Sequence, residues 1–206
     1  MTRPLHASCR VLSLSALLVM VAGCSNIPLD TLDLPGDVLT PRGASFERPL
    51  ISPNTAFPTC RPVVIDTEDP DAPLTADPAP RRRTHLVAEY AGTAEERQKG
   101  LQGRTDLHPH TAMLLSFDGS HNPVLWMKDT PASLDMIFIT SSGEVFHIES
   151  GTTPNSTEFL TPEEAEPVAT HVLEVPAGVA YEMNILPGVS RIEIGPQTPC
   201  SSFSGT

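Results

Sequence analysis

Half of the prolines in this 206-residue chain, eleven of 22, fall between Pro28 and Pro80. The densest part runs from Asp66 to Pro80, where Asp66, Glu68, Asp69, Asp71 and Asp77 are interspersed with Pro70, Pro73, Pro78 and Pro80. Such a segment buries too little apolar surface to offset its ordering entropy. Pro-rich acidic chain stays extended, so residues 24–82 are predicted to be a disordered linker that acts as a spacer. Within it, Cys60-Arg61-Pro62-Val63-Val64-Ile65 is compatible with an edge strand. The linker pushes the folded part downstream, to residues 83–196, with a short tail over 197–206. A domain of that size buries a real core.

Upstream of the linker the chain reads as an address. Residues 1–10 contain Arg3 and Arg10 and no acid, and residues 11–23 are nearly all apolar or small. A basic start, a short apolar run and small residues at the cut mark a secretory signal over residues 1–23. The run is shorter than the roughly 20 residues a spanning helix needs. Its ending, Val21-Ala22-Gly23-Cys24, resembles a bacterial lipobox, which implies that Cys24 is lipidated and becomes the new N-terminus. Two or three acyl chains give stable anchoring where one is marginal. The expected location is therefore a bacterial membrane, facing periplasm or exterior. Ser25 after the cysteine favours the outer membrane in a cell that has one.

Charge narrows the partners. The whole chain has 13 Lys and Arg against 25 Asp and Glu, a formal charge of −12. Removing Arg3 and Arg10 with the signal takes it to −14, and residues 83–196 alone carry about −10. A nucleic-acid binder held by phosphate contacts needs a basic face, so nucleic acid is excluded as a partner. A polybasic attachment to anionic lipid is excluded on the same ground. The membrane contact expected here is the acyl group on Cys24.

With Cys9 in the signal and Cys24 acylated, Cys60 and Cys200 remain. An even pair in an exported chain is a disulfide candidate. Closing so long a loop is worth on the order of 4–5 kcal/mol in the chain-entropy description. Two unrelated free thiols are the alternative. Without a Cys-x-x-Cys pairing, no zinc or thioredoxin-like site is expected on them.

In the domain, strand-length segments alternate with turns. Thr84–Tyr90, Met113–Phe117, Val124–Met127, Met136–Thr140, Val145–Glu149, His171–Pro176 and Arg191–Ile194 are predicted strands. Thr93-Ala94-Glu95-Glu96 is a capping box, opening a helix from Ala94 to about Leu101. Gly178–Ile185 is a second short helix. Ser141–Glu144 is a hairpin turn with Gly143 at the position needing positive φ, and Leu186–Val189 is a type II turn. Residues 150–167 form a long polar loop, either a lid or simply mobile. The expected fold is α+β: a small, mostly antiparallel β-rich domain with two short helices.

The order of motifs is distinctive: Glu95-Glu96-Arg97-x-x-Gly100-Leu101-x-Gly103-Arg104, then Met113-Leu114-x-x-Phe117, Trp126-Met127-Lys128-Asp129-Thr130, Leu134-Asp135-Met136-Ile137-Phe138-Ile139, Gly143 and Val172-Leu173-Glu174. Together they resemble the domain of unknown function 192 family, which is often found in exported bacterial proteins. The resemblance covers about residues 85–195. It implies a compact β-rich fold with small helices and no established activity.

Polar residues inside apolar blocks are the candidate site. Arg104 follows the first helix, Lys128 and Asp129 interrupt a strand end, and Asp135 lies between Leu134 and Met136. Glu174 is embedded in Val-Leu-Glu-Val. Charged groups in core-like runs must be paired or line a cleft. In one reading Arg104, Lys128, Asp129 and Asp135 converge, the cations holding an anionic group and a carboxylate acting as base. In the other, Asp135 pairs Lys128 or Arg104 and the network only fixes strand register. Trp126, the sole tryptophan, is expected to fill the core, with its indole N–H on a carbonyl, rather than to serve as a stacking platform for a sugar or base. Leu101, Met113, Leu115, Phe117, Met136, Phe138 and Ile148 are further core candidates. His108-Pro109-His110 lacks a third ligand on a rigid element, so no metal is assigned. No Gly-x-Ser-x-Gly, Walker, His-Glu-x-x-His or Rossmann signature occurs, and no cofactor is expected.

The reading favoured by these features is a membrane-anchored binding or accessory module of the bacterial envelope, with an envelope protein or glycan as partner. The alternative is a small hydrolase or carbohydrate-active enzyme using the Arg/Lys/Asp cluster. A third is a structural protein whose loop 150–167 docks a partner.

Overall fold

Near-continuous apolar strands, rather than strictly alternating ones, call for a sheet covered on both faces, and that is the arrangement found. The computed structural model describes residues 50–51, 56–73, 75, 78–105, 107–163 and 167–203. The signal segment, Cys24 and residues 25–49 of the linker lie outside the described residues. Among the described residues the strands are β1 Leu50–Ile51, β2 Thr59–Glu68, β3 Arg81–Ala91, β4 Met113–Ser116, β5 Leu134–Ile139, β6 Val145–Glu149, β7 His171–Pro176, β8 Arg191–Ile194 and β9 Thr198–Pro199. Helix α1 is Ala94–Lys99 and α2 is Val179–Glu182. One sheet runs β6-β5-β7-β4-β3-β2-β8, with β1 also pairing β3 and β9 pairing β2. Its pairings are antiparallel except β3–β4 and β1–β3. Among the described residues, no helix is long and apolar enough to cross a membrane.

Side-chain alternation sorts the core into two layers. One face carries Leu114, Ile137, Ile139, Leu173 and Val175, covered by Val179, Ala180 and Ile185 from α2 and the turn after it. The opposite face carries Met113, Leu115, Met136, Phe138 and Val172, covered by Leu101, Leu125 and Met127. All six residues of β5 are buried. Burial of both faces explains why the run Leu-Asp-Met-Ile-Phe-Ile shows no polar alternation. Phe117 and Ile148, expected in the core, are only partly buried at its edge.

Four expectations change. The sheet begins upstream of residue 83, because β2 lies within the segment assigned to the linker. Nor is β2 an edge strand, since β3 and β8 flank it. Pro62 is tolerated there for a specific reason. Its carbonyl accepts from the Gly195 N–H at 2.8 Å just past the end of β8 at Ile194, and the Gly195 carbonyl, which a proline cannot serve, accepts from Arg61 Nη1 at 3.4 Å. A Cβ at Gly195 would collide with the Pro62 ring, so glycine is required for this approach. An acid of the presumed spacer, Asp66, is a cross-strand partner instead. Asp66 pairs with Arg81 and Glu193 of β8 with Arg83. The chain end also joins the fold: β9 pairs with β2, and Cys60 is bonded to Cys200 with the Cα atoms 4.9 Å apart. Finally, Val124–Met127 is not a strand. Only Leu125 bridges, exchanging hydrogen bonds with Leu160 at 2.8 and 2.9 Å.

Helix α1 forms where the capping box predicts. Thr93 Oγ1 accepts from the Glu96 N–H at 3.2 Å, and the Glu96 carboxylate accepts from the Thr93 and Gly92 N–H groups at 2.9 Å. Those bonds, the one from Thr93 foremost, hold the Glu96 carboxyl below its ordinary range. None of the six helical residues is buried. Gly100 ends the helix at φ +43°, a conformation that costs a glycine little, and turns the chain so that Leu101 enters the core.

Candidate functional site

The face covered by Leu101 and Met127 carries an unusual row of side chains. Registers across β3, β4, β7 and β5 place Glu89 opposite Met113, Met113 opposite Glu174, and Glu174 opposite Met136. Two carboxyl groups thus enter an otherwise apolar layer, flanked by methionines.

Glu89 is fully partnered. Its Oε1 accepts from Arg104 Nη1 at 2.6 Å, and its Oε2 from the N–H groups of Ala56 and Phe57 at 2.7 and 2.9 Å. Glu174 is not. It is 6% exposed, and among the described residues it has no hydrogen-bond or ion-pair partner. Burial alone pushes its carboxyl up to about 7, with no basic group close enough to oppose the shift.

Glu174 lines a cavity of about 270 Å³. The cavity lies between the end of α1 with its following turn, the segment 124–130, and the sheet at Leu115 and Leu134. Gly100 backs the acid: a Cβ built there would lie 3.9 Å from Glu174 Oε2. Trp126 lines the cavity while remaining 38% exposed, and it stacks on Phe159, itself 71% exposed, with ring centroids 6.4 Å apart. The Lys128 ammonium sits 5.4 Å from the Trp126 ring centroid, within cation–π range. Arg97 is held in place, donating to the carbonyls of Gly92 and Ser116 at 2.7 and 2.8 Å and lying 5.0 Å over the Phe117 ring. Trp126 is therefore an exposed cavity wall rather than core filler, because residues 124–127 lie over the sheet instead of within it.

Loop 150–163 secures this wall. Besides the Leu125–Leu160 pair, the Met127 N–H donates to the Ser156 carbonyl at 3.1 Å and the Asn155 N–H to the Thr130 carbonyl at 2.9 Å. Thr152, buried, accepts from the Leu134 N–H at 2.9 Å through its Oγ1.

The four polar residues singled out from sequence separate. Arg104 turns to Glu89. Asp135 lies with the α2 layer, where its Oδ2 accepts from the Gly178 and Ala180 N–H groups at 2.8 and 3.1 Å and its Oδ1 from the Gly151 N–H at 2.9 Å. It holds the start of α2 and the loop to β5, and pairs with neither Lys128 nor Arg104. Asp129 occupies an exposed turn at φ +56°, its carbonyl accepting from the Gly103 N–H at 2.8 Å. Of the four, only Lys128 lines the cavity. The acid that does so, Glu174, stood out in sequence as a charge inside Val-Leu-Glu-Val and as part of the Val172-Leu173-Glu174 block, with nothing to tie it to Lys128. Its register beside Met113 and Met136 depends on pairings between distant segments.

A second depression of about 390 Å³ shares Arg97 and Phe117 with the first and includes Asp118 and His121. Its lining includes no buried carboxyl. His108 and His110 face one another with ring centroids 4.9 Å apart. Among the described residues, no three His, Cys, Asp or Glu side chains are grouped to hold a metal ion.

Comparison with known proteins places this geometry in a family. The profile of DUF192, described as "Uncharacterized ACR", matches residues 77–194. Among solved structures, a "putative transcription regulator" from Sinorhizobium meliloti is 30% identical, the match covering 68% of this chain and 98% of that one, with a TM-score of 0.55. A protein of unknown function from Novosphingobium aromaticivorans is 26% identical over 70% of this chain and 91% of that one, with a TM-score of 0.54. Among curated proteins, none matches the chain.

Proposed function

Because the chain belongs to the DUF192 family, described only as uncharacterized, we propose its function from the cavity itself: it is a small-ligand binding module, displayed on a lipid anchor outside the bacterial cytoplasm. The observation that carries the binding reading is Glu174, a buried carboxyl without a partner among the described residues, in a cavity whose walls include Leu101, Leu115, Met127 and Leu134. Buried charge is ordinarily paired, and pockets with apolar walls and a few convergent polar groups are where small ligands bind. The volume is just below the usual range for such pockets, which suits a small molecule or a single side chain rather than an oligosaccharide.

Export and anchoring rest on the segment ending at Cys24, and the Cys60–Cys200 bond is consistent with an oxidising compartment. The S. meliloti relative is described as a regulator of transcription; for this chain a nucleic-acid role runs against the charge of the domain. Arg81, Arg83 and Arg104 are each opposed by an acid. The enzyme alternative built on Arg104, Lys128, Asp129 and Asp135 has no geometric support, since these side chains do not converge.

Trp126 is the only tryptophan in the chain, so its fluorescence reports on the cavity wall without labelling. Screening small ligands by Trp126 emission and by Tm should find compounds that change both. Replacing Leu115 by Trp, to fill the cavity, should abolish the Tm response; an unchanged response in a folded Leu115→Trp protein contradicts the proposal.

A further inference from the structure

We infer that the cavity takes an unbranched aliphatic chain with a primary ammonium at its inner end and an anionic group at its outer end, a lysine-like or ω-amino-acid ligand. The inference rests on the cavity being a binding site.

Three observations define the ligand. First, Glu174 is the acid among the lining side chains; the others are apolar, amide, hydroxyl or basic. An ammonium donates three hydrogen bonds and supplies the missing counter-charge, and hydrogen bonds between ionised partners are the strong ones. Second, the walls beside Glu174 are aliphatic: Leu101, Leu115, Leu134 and Met127. They suit methylene groups, each worth about 0.8 kcal/mol when buried. Third, the two lining lysines are exposed. Lys99 and Lys128 stand at the mouth, where they would repel a simple alkylamine and attract a carboxylate or phosphate.

The charges around Glu174 can be placed element by element. Arg97 and Lys99 come from α1 and Lys128 from the segment 124–130. On the same sheet face, Glu89 lies beyond Met113, already paired with Arg104, and Glu149 lies beyond Met136. Asp135 is committed to α2 and Gly151. Arg97 is committed to the Gly92 and Ser116 carbonyls. Glu174 is left as the acceptor facing an incoming cation. Since an alkylammonium titrates near 10.4 and the Glu174 carboxyl near 7, the ion pair forms between these values. Affinity should therefore rise from pH 6 to pH 8.

The test is a titration of Trp126 fluorescence in the full chain at pH 8 with 6-aminohexanoate, hexylamine, hexanoate and hexan-1-ol. 6-Aminohexanoate is expected to bind at least tenfold more tightly than each of the others, and at least tenfold more weakly to Glu174→Gln. The glutamine removes a buried charge, so this variant should fold. Lys128→Met should bring 6-aminohexanoate down to the level of hexylamine. Hexan-1-ol binding as well as 6-aminohexanoate would overturn the ligand class while leaving the cavity as a site. Equal binding of hexylamine and 6-aminohexanoate would overturn the outer anionic group. No response in emission or Tm to any of the four would sink the ligand class and the binding reading together.

Discussion

Glu89 and Glu174 lie on the same sheet face, each directly opposite Met113, one from either side. They have the same side chain and almost the same burial, yet opposite circumstances. Glu89 accepts from one guanidinium and two backbone N–H groups, whereas Glu174, with no partner among the described residues, lines a cavity of mixed polar and apolar walls. Glu89 fastens the chain before β2 to the sheet, while Glu174 only lines the cavity.

The pH dependence of stability follows from Glu174. Its carboxyl is raised from the ordinary 4.5 to about 7 in the folded chain, so between these values the native state holds a proton that the unfolded state has lost. Stability falls as pH rises through that window, by on the order of 3 kcal/mol, and the loss is complete above about pH 7. Glu174→Gln should flatten this slope and be more stable than wild type at pH 8. Urea unfolding at pH 5 and pH 8 checks it; an identical slope in both proteins contradicts it.

Asp135 is expected to be structural. Replacing it with Ala leaves three backbone donors without their acceptor, at Gly151, Gly178 and Ala180. The cost should be about 3 kcal/mol or more. Asp135→Asn, which keeps one acceptor oxygen, should lose less. The denaturant midpoints measure both, and 6-aminohexanoate affinity in folded Asp135→Asn should stay within a few-fold of wild type.

Arg104→Met strands Glu89 as an uncompensated buried charge, a change that typically costs about 3–5 kcal/mol. Adding Glu89→Gln should restore part of that loss, because the charge is then gone. A double variant no more stable than Arg104→Met would show that the guanidinium stabilises the fold by some other contact.

Membrane attachment is predicted to depend on Cys24. Cells fed a clickable fatty acid should label the wild-type chain and leave Cys24→Ser unlabelled and soluble. Absence of label from both proteins counts against acylation.

The helix cap, the hairpin at Gly143 and most strands were legible in the sequence because each rests on local chemistry. Thr93 and Glu96 are three residues apart, and Val145–Glu149 begins at its own turn. Strand β2 was harder to read. Its Pro62 and its acids look like spacer until Gly195 accepts the proline's close approach and Arg81 meets Asp66. Trp126 was misplaced for a related reason: Val-Leu-Trp-Met has strand composition, yet the segment pairs with Leu160 of a distant loop and lies over the sheet. The polar cluster failed because spacing along the chain does not reveal which sheet face a side chain joins. Asp135 and Glu174, both acids in apolar runs, project to opposite faces.

The most direct test of the account is an NMR titration of the Glu174 side-chain carboxyl, in the free protein and with saturating 6-aminohexanoate. In the free protein the midpoint is expected at about 7, and the ammonium should draw it down toward the ordinary carboxylate range. A free-protein midpoint near 4.5, or a midpoint of 7 that the ligand leaves unmoved, would contradict the claim that this acid waits in the cavity for a cation.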